Sequence, residues 1–196
     1  MANFKGNELY IHGSGLKTGI LLTNLGTPDE PTAPSLRTYL RQFLSDGRVI
    51  ETPKAIWWLI LNGIVLRTRP AKSANAYQSV WTDDGSPLLL YTQKQKNLIK
   101  KQLEKKYPNL IFDIGMRYGN PSIAEGLNNL RNQNCDRIIV LPLYPQYCAA
   151  TTGSTFDAVA IELRQWRWVP SLRFIGSYYD QPLYIQALKN SIEEFW

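Results

Sequence analysis

Short apolar runs separated by stretches with helical apolar spacing dominate the second half of this chain. The runs at residues 110–116, 137–141 and 172–178 are rich in aliphatic side chains, and an earlier run at 18–24 resembles them. Largely continuous apolar runs of this length are typical of strands that are buried on both faces of a parallel sheet. The pattern therefore predicts four strands.

Helices are predicted after the last three of these strands. Apolar residues recur every three or four positions over residues 121–133, 153–166 and 182–195. Strands that alternate with helices indicate an α/β fold with a doubly wound parallel sheet of flavodoxin-like or Rossmann-like type. Residues 25–109 are too many for one crossover, so we expect a helical insertion between strands one and two. We assign residues 1–17 to an N-terminal leader and 18–196 to the α/β domain.

Three residues mark helix starts within this insertion. Ser35 can cap a helix that carries its apolar residues on one face. Pro70 suits the first turn of a later helix, because a proline there loses no hydrogen bond. Pro87 opens a long amphipathic helix that we expect to end near Lys106. The insertion is therefore expected to be mainly helical.

The most apolar segment of the chain, IWWLILNGIVL at residues 56–66, lies in this insertion. It is interrupted by Asn62 and Gly63 and is too short to span a bilayer. One interpretation is a helix that is buried on the core. The other is an exposed lip that dips into a membrane interface, which the following Arg67 and Arg69 favour. Both interpretations stay open at the level of the sequence.

The composition narrows the range of partners. The 196 residues suffice for one domain with a sizeable core, and the net charge of +6 suits acidic ligands, a membrane surface or nucleic acid. No nucleic-acid-binding signature is present, so we expect no nucleic-acid partner. Cys135 and Cys148 have neither metal-site nor redox spacing and indicate a reduced compartment. The N-terminus lacks the apolar core of a signal peptide, so we expect a cytoplasmic protein, with peripheral contact at the inner membrane through residues 56–66 as the alternative to their burial.

The third strand leads through a loop into a helix, reading RIIVLPLYPQYCAATTGS over residues 137–154. Pro142 and Pro145 end the strand, because proline lacks a backbone donor and fixes φ. Residues 151–154 (TTGS) supply cap-type side chains at a helix N-terminus, which is a weak indication of phosphate binding. Ligands of open α/β sheets bind at the carboxyl ends of the strands, so this loop is either a rigid turn or a binding wall.

The end of the second strand carries further candidate binding groups. Arg117 could bind a carboxylate or phosphate with two hydrogen bonds beside Tyr118, although a surface arginine next to a core tyrosine explains the same pattern. The motifs GxGxxG, GxxxxGK[ST] and GxSxG are absent from the sequence, which removes the usual signs of nucleotide binding and of hydrolases. The tyrosines, tryptophans, leucines and arginines together suit a large, flat, apolar ligand with an anionic rim. A porphyrin fits this description.

Five stretches of the chain resemble the ferrochelatases, which insert ferrous iron into a porphyrin at the end of haem synthesis. The resemblance runs from near Gly19 to the C-terminus, and its most specific stretch is LPLYPQYCAATTGS. The other stretches are GILLTNLGTPDEPT, LRQFLSDGRVI, YQSVWTDDGSP and GMRYGNPSI. The pattern is most similar to proteobacterial members. It implies protoporphyrin IX and Fe²⁺ as substrates, with no permanently bound cofactor.

The resemblance also implies a set of porphyrin-binding residues. Arg69 matches an arginine near the porphyrin rim, although the neighbouring Arg67 could match it instead. Tyr77 and Ser86 match positions that line the pocket or contact propionates, and Cys148 stands where a serine is more usual. The full set comprises Leu25, Arg69, Tyr77, Ser86, Arg117, Tyr118 and Tyr144.

The ferrochelatase family has two similar α/β halves, and this chain resembles only the first. The family's catalytic histidine lies on a strand after the helix that matches residues 182–195, and its acidic partner lies further on. His12 is the only histidine in the sequence and is outside the matching region. We therefore expect a truncated enzyme that lacks its C-terminal half and contains no catalytic residue or metal ligand. Such a chain should be inactive alone.

Two other functions remain open from the residues themselves. A non-catalytic tetrapyrrole-binding module would bind porphyrin without inserting a metal. A flavodoxin-like domain would bind a phosphorylated ligand, such as a flavin or a nucleotide, at TTGS and would be indifferent to porphyrin.

Overall fold

Four parallel strands form one sheet in the order β2-β1-β3-β4. The computed structural model describes residues 4–7 and 16–196. The order confirms the predicted α/β fold with a doubly wound sheet. Most of the predicted leader, including His12, lies outside the described residues. The strands are β1 (Lys17–Thr27), β2 (Leu110–Gly119), β3 (Cys135–Pro142) and β4 (Ser171–Phe174).

Helices connect the strands, and the expected helical insertion between the first two strands is confirmed. The insertion contains α1 (Ala33–Leu44), α2 (Lys54–Ile60), α3 (Leu66–Gln78) and α4 (Pro87–Leu103). The later strands are followed by α5 (Ile123–Asn132), α6 (Ser154–Leu163) and α7 (Pro182–Phe195). Two π-helical turns, Leu61–Val65 and Ala149–Gly153, lead into α3 and α6.

The central strand β1 divides its side chains between two apolar layers. Leu21 packs on one face, in a buried cluster that includes Leu127 of α5 and Val159 of α6. Ile20 and Leu22 pack on the other face, which α4 covers. Successive residues of a strand point to opposite faces, so covering both faces requires apolar residues at nearly every position. This is why the strands are visible in the sequence as apolar runs.

The strand ends nearest the candidate site differ from the prediction. β1 and β2 end at 27 and 119 rather than at 24 and 116, because pairing continues through Gly26 and Tyr118. Gly26 has a φ of +102°, and a Cβ atom built there would lie 1.7 Å from the Tyr118 carbonyl oxygen. β4 ends at Phe174 instead of 178, because its pairing with β3 stops opposite Val140.

Two predicted helix starts are also wrong, because in both cases the helical segment begins at an earlier residue than predicted. Thr32 precedes α1 as its N-cap residue, so Ser35 lies inside the helix instead of capping it. Residues 151–154 do not stand at a free helix N-terminus, because the π-helical turn Ala149–Gly153 comes before α6. The Cys148 carbonyl oxygen accepts hydrogen bonds from two backbone amides of that turn, at 3.2 Å each. These amides are therefore not available to an anion.

Pro70 is the third corrected position, since it lies inside α3 and not in a first turn. α2, the π-helical turn and α3 follow one another without a break. Pro70 has no N–H to donate to the Leu66 carbonyl oxygen, one turn earlier. Arg37 of α1 donates its Nε–H to that oxygen instead, at 3.0 Å. A side chain from a neighbouring helix thus satisfies the carbonyl that the proline leaves unbonded.

Candidate functional site

An aromatic cluster lies at the carboxyl ends of β1 and β2. Tyr118 is fully buried and makes edge-on contacts with Tyr39 and Phe43, at ring-centroid distances of 6.4 and 5.2 Å. Tyr77 of α3 meets Tyr39 edge-on at 6.4 Å, and Leu25 packs against the same cluster. The fold therefore brings together three of the predicted site residues, Leu25, Tyr77 and Tyr118.

Asp46, in the loop after α1, connects this cluster to Arg117. Its Oδ2 atom accepts hydrogen bonds from Arg117 Nη2 at 2.5 Å, from Tyr118 Oη at 2.8 Å and from Ser154 Oγ. Its Oδ1 atom accepts the backbone N–H of Arg48 at 2.8 Å. Arg117 Nε also donates to Ser154 Oγ at 2.5 Å. One carboxylate thus holds the end of β2, the start of α6 and its own loop.

The electrostatics of this group follow from burial and from its hydrogen bonds. Burial alone would raise the pKa of Asp46, but hydrogen bonds from Ser154, Arg48 and Tyr118 and the Arg117 charge outweigh it, so the pKa is lower than usual. Burial raises the pKa of Tyr118 to about 12. The Arg117 guanidinium carbon lies 4.6 Å from the centre of the Tyr118 ring, within cation–π range. Near neutral pH the group contains an ionised aspartate, a charged arginine and a neutral tyrosine.

Tyr144, in the loop after β3, lies next to this group. Its hydroxyl is buried near the Thr155 side chain. Burial raises the pKa of Tyr144. Tyr144 therefore adds a fourth tyrosine to this region, beside Tyr39, Tyr77 and Tyr118.

Ser86 lies in an adjoining cavity of about 390 Å³. The cavity is bounded by the end of β1 at Thr27, the loop after β2 at Asn120, and the start of α4. Trp81 also lines it, and its ring lies 6.3 Å from that of Tyr77, so the cavity adjoins the aromatic cluster. Ser86 thus lies in a cavity next to the aromatic cluster.

Arg69 is the predicted residue that the fold does not bring to the cluster. It lies exposed on α3. Within the described part of the chain, no hydrogen bond or ion pair holds its side chain. Asp46, in contrast, is a residue that the sequence reasoning missed, although it lies in the resembling stretch LRQFLSDGRVI. Only its position directly after a predicted amphipathic helix could have marked it.

Comparison with known proteins identifies the family. The family model described as Ferrochelatase matches residues 17–196. This chain belongs to the ferrochelatase family. It is 55% identical over 196 residues to the ferrochelatase of Hydrogenovibrio crunogenus and 49% identical over 194 residues to that of Marinobacter nauticus. These alignments cover 97% and 98% of this chain and 52% of each relative, so the chain spans about half the length of these curated relatives.

A third ferrochelatase gives the same result. The protein named Ferrochelatase 2 of Shewanella oneidensis is 54% identical over 183 residues, which is 93% of this chain and 56% of that protein. The matched region includes every residue of the aromatic cluster and of the Asp46 hydrogen-bond group, since the family model begins at residue 17. The candidate site described above is therefore part of the ferrochelatase homology.

The apolar segment at residues 56–66 has one buried and one exposed side in this ferrochelatase-family chain. Leu61 is buried, and Trp57 donates its Nε1–H to the Leu44 carbonyl oxygen at 2.7 Å. Ile56, Leu59 and Ile64 are 56%, 65% and 61% exposed. The segment is therefore packed on the fold along one side and exposed along the other, and the membrane interpretation of the exposed side stays a prediction. Among the described residues, no helix is both long enough and apolar enough to cross a membrane.

The cysteines and the acidic residues do not form a metal centre in the described part of the chain. Cys135 is buried, and burial raises the pKa of its thiol to about 11, whereas Cys148 is exposed in the loop after β3. No group of three or more His, Cys, Asp or Glu side chains is placed to hold a metal ion among the residues that the structure describes.

Proposed function

We propose that this chain forms the porphyrin-binding wall of a ferrochelatase that inserts Fe²⁺ into protoporphyrin IX to give protohaem. Membership of the ferrochelatase family supports the reaction class. The observation that carries the proposal is the aromatic cluster at the carboxyl ends of β1 and β2, next to a fixed arginine. Ligands of doubly wound sheets bind at this edge.

The chemistry of the predicted residues suits both parts of a porphyrin. The macrocycle is flat and apolar, and Leu25, Tyr77 and Tyr144 offer apolar and aromatic surface. The propionates need hydrogen-bond donors, which Arg117 and Ser86 can supply. Arg69 is an exposed cation that we place near the rim, where it would attract a carboxylate through solvent. All seven residues of the predicted set, including Tyr118 within the cluster, are given this role as a proposal.

Metal insertion also requires a base, because the porphyrin releases two pyrrole protons as the metal binds. The described residues of the site are poorly suited to accept them. The pKa of Tyr118 is about 12 and that of Tyr144 is also raised, so both phenols keep their protons. Asp46 already accepts four hydrogen bonds. We infer that the base comes from outside these residues and that the 196-residue chain binds porphyrin without catalysing insertion.

The test is an anaerobic titration of the purified chain with protoporphyrin IX, followed by porphyrin fluorescence, with Fe²⁺ or Zn²⁺ then added. We expect saturable binding and a rate of metal insertion no higher than that without protein. Insertion above the protein-free rate would contradict the inferred absence of a base. A folded chain that binds no protoporphyrin would contradict the porphyrin-binding role.

A non-catalytic tetrapyrrole-binding module would give the same titration, so a further arm is needed. Adding the half of the Hydrogenovibrio crunogenus ferrochelatase that this chain does not match separates the two functions. If this chain is part of a ferrochelatase, the mixture should gain insertion activity that an Arg117→Lys variant reduces. A mixture that binds porphyrin but never inserts metal would favour the binding module.

A phosphorylated ligand at TTGS is disfavoured by its surroundings. Ser154 donates its hydroxyl hydrogen to the Asp46 carboxylate, which would repel a phosphate at this position. Thr152 is buried, and the neighbouring amides of the π-helical turn bond to Cys148. We therefore expect no binding of flavin mononucleotide in a parallel titration, and saturable binding of that ligand would overturn this part of the proposal.

We also propose that residues 56–66 make peripheral contact with a membrane. The exposed side chains Ile56, Trp58, Leu59 and Ile64 form an apolar surface followed by two exposed arginines. Sedimentation with vesicles that contain anionic lipid should retain the wild-type chain, and Leu59→Lys should release most of it. Lys72→Glu, at an exposed position on α3, serves as a charge control. Equal retention of wild type and Leu59→Lys would contradict the contact.

A further inference from the structure

The Asp46 side chain is almost fully enclosed, at 7% exposure, while that of its partner Arg117 is 21% exposed. Three donors from two other parts of the fold converge on one oxygen atom of this carboxylate: Arg117, Tyr118 and Ser154. Side chains of consecutive strand residues normally point to opposite faces of a sheet. Arg117 and Tyr118 nevertheless reach the same carboxylate, so Asp46 bonds both side chains at the end of β2.

This arrangement leaves one edge of the guanidinium unused. Arg117 Nε donates to Ser154 and Nη2 donates to Asp46. The guanidinium carbon lies 4.6 Å from the centre of the Tyr118 ring. Among the described residues, Nη1 has no hydrogen-bond partner. The guanidinium is therefore held through Nε and Nη2, with its charge balanced by a carboxylate, and within the described residues both N–H groups of Nη1 are left for a ligand.

We propose that Asp46 is a positioning residue that fixes Arg117 so that its Nη1 edge donates to a carboxylate at the rim of the bound porphyrin. The inference rests on the proposed porphyrin-binding function and adds a residue to it. Because the charge of Arg117 is already balanced, the site recognises the ligand's carboxylate by hydrogen-bond direction more than by attraction between net charges. A free arginine at this position would have to lose side-chain entropy each time it bound a ligand.

The variants Asp46→Asn and Asp46→Glu test the positioning directly. The asparagine side chain keeps the size of Asp46 but has one acceptor atom, so it cannot serve both the Arg48 N–H and the three donors at Oδ2. The glutamate keeps the charge and should restore part of the effect. Asp180→Asn, at an exposed position before α7, is the matched control.

The first readout is the NMR signal of the Arg117 Nε–H group, identified by its absence from an Arg117→Lys variant. In the wild type and in Asp180→Asn, we expect slow hydrogen exchange at this group. In Asp46→Asn, exchange at Nε–H should become at least roughly tenfold faster, because the guanidinium loses its charge-assisted Nη2 bond to Asp46 and because Ser154, which accepts the Nε–H, loses the carboxylate that holds its hydroxyl. Unchanged exchange in a folded Asp46→Asn chain would overturn the positioning role.

The second readout compares protoporphyrin IX with its dimethyl ester, which lacks free carboxylates. Asp46→Asn should weaken binding of protoporphyrin IX by roughly tenfold and leave binding of the ester nearly unchanged. Equal weakening for both ligands, or no weakening, would overturn the inference. If the wild-type chain binds neither ligand, the proposed function fails, and the exchange experiment alone decides whether Asp46 fixes Arg117.

Discussion

Two glycines differ in the space that they leave for a side chain. Gly26 has a φ of +102° at the end of β1, and an added Cβ atom would lie 1.7 Å from the Tyr118 carbonyl oxygen. Gly63 lies in the π-helical turn, where an added Cβ atom would have no neighbour within 4 Å. Only the first glycine is required by close approach of the backbone.

Gly26→Ala should therefore destabilise the chain and displace the end of β2. We expect a loss of about 2 to 4 kcal/mol in the free energy of unfolding, from the disfavoured φ and the clash together. Gly63→Ala should change it by no more than about 1 kcal/mol, in the stabilising direction. Urea denaturation of both variants measures the difference, and equal effects would contradict the close approach at Gly26.

The buried carboxylates predict how stability depends on pH. Burial raises the pKa of Glu162, but hydrogen bonds from Lys5, Trp166 and Asn128 outweigh it, so the folded-state pKa is below the usual value. The pKa of Asp46 is lowered in the same way. A carboxyl group with a depressed folded-state pKa binds its proton more tightly in the unfolded chain. Its stabilisation is therefore complete above the usual pKa and is lost as the pH falls through the folded-state value.

We accordingly expect the free energy of unfolding to be constant near neutral pH and to fall below about pH 4. In Glu162→Gln, the fall between pH 6 and pH 3 should be smaller, because one of the titrating groups is gone. Urea denaturation at several pH values measures both curves. A variant whose curve falls as steeply as that of the wild type would show that Glu162 does not contribute.

At the scale of single residues, the sequence revealed Arg117 and Tyr118 but not their partner. Both follow the strand predicted at 110–116, and this position, their residue types and the resemblance of the stretch GMRYGNPSI made them candidates. Asp46 is 71 positions from Arg117 and 108 from Ser154, and no local pattern links them. Only the folded chain brings the loop after α1 to the end of β2. The spacing of residues along the chain could not decide whether Arg117 binds an anionic ligand or bonds to another side chain of the protein.

At the scale of secondary structure, Pro70 inside α3 depends on a contact with α1. The Leu66 carbonyl oxygen lacks its usual helical donor and accepts the Arg37 Nε–H at 3.0 Å. Arg37→Met keeps the length of the side chain but removes the donor, and it should cost about 1 kcal/mol in the free energy of unfolding. In a Pro70→Ala background, the new backbone N–H can bond to Leu66, so the same change should cost less.

A double-mutant cycle with Arg37→Met and Pro70→Ala measures this coupling by urea denaturation. Arg41→Met, on the exposed surface of the same helix, controls for loss of an arginine. Additive effects of the two substitutions would mean that the bond to Leu66 does not replace the one that the proline prevents.

The approximate positions of the strands were predictable because burial restricts their residues to apolar types. The residues at which the strands end were less predictable. Strands covered on both faces must be apolar throughout, so their approximate positions are evident. Their ends depend on pairing: β1 continues to Thr27 because β2 runs beside it to Gly119. The π-helical turn before α6 was not predictable, because its small residues suit a cap as well as a helical turn.

At the scale of the molecule, α7 presents an apolar surface. In the described part of the chain it has no buried residue, and Leu183, Phe195 and Trp196 are 85%, 89% and 93% exposed. Surfaces of this kind promote association. We expect the isolated chain to bind a hydrophobic dye and to self-associate as its concentration rises, in sedimentation velocity experiments.

Replacing apolar residues of α7 with lysine should reduce this association. The double variant Leu183→Lys and Ile192→Lys should sediment more slowly than the wild type at the same concentration and bind less dye. Ser191→Lys adds a charge to the same helix without removing an apolar side chain and serves as the control. Wild-type chain that remains monomeric and dye-free at high concentration would contradict the expectation.

The overall topology followed from the alternation of strands and helices, because right-handed crossovers leave few arrangements of a parallel sheet. The sequence also predicted that the candidate residues Leu25, Tyr118 and Tyr144 lie at one edge of the sheet, because the carboxyl ends of parallel strands meet there. The arrangement within the insertion did not follow. The sequence of its apolar segment at residues 56–66 is compatible with burial and with exposure. The contacts of Trp57 and the burial of Leu61 show which side of the segment packs on the fold.

The most direct test of the proposed porphyrin-binding site is hydrogen–deuterium exchange of the wild-type chain with and without protoporphyrin IX. We expect slower exchange at the ends of β1 and β2, in the last turn of α3 and in the loop after β3. These segments contain Leu25, Tyr77, Tyr118 and Tyr144. Slower exchange confined to the opposite end of the sheet, at the cavity that Arg131 and Asp136 line, would place the ligand elsewhere and contradict the account.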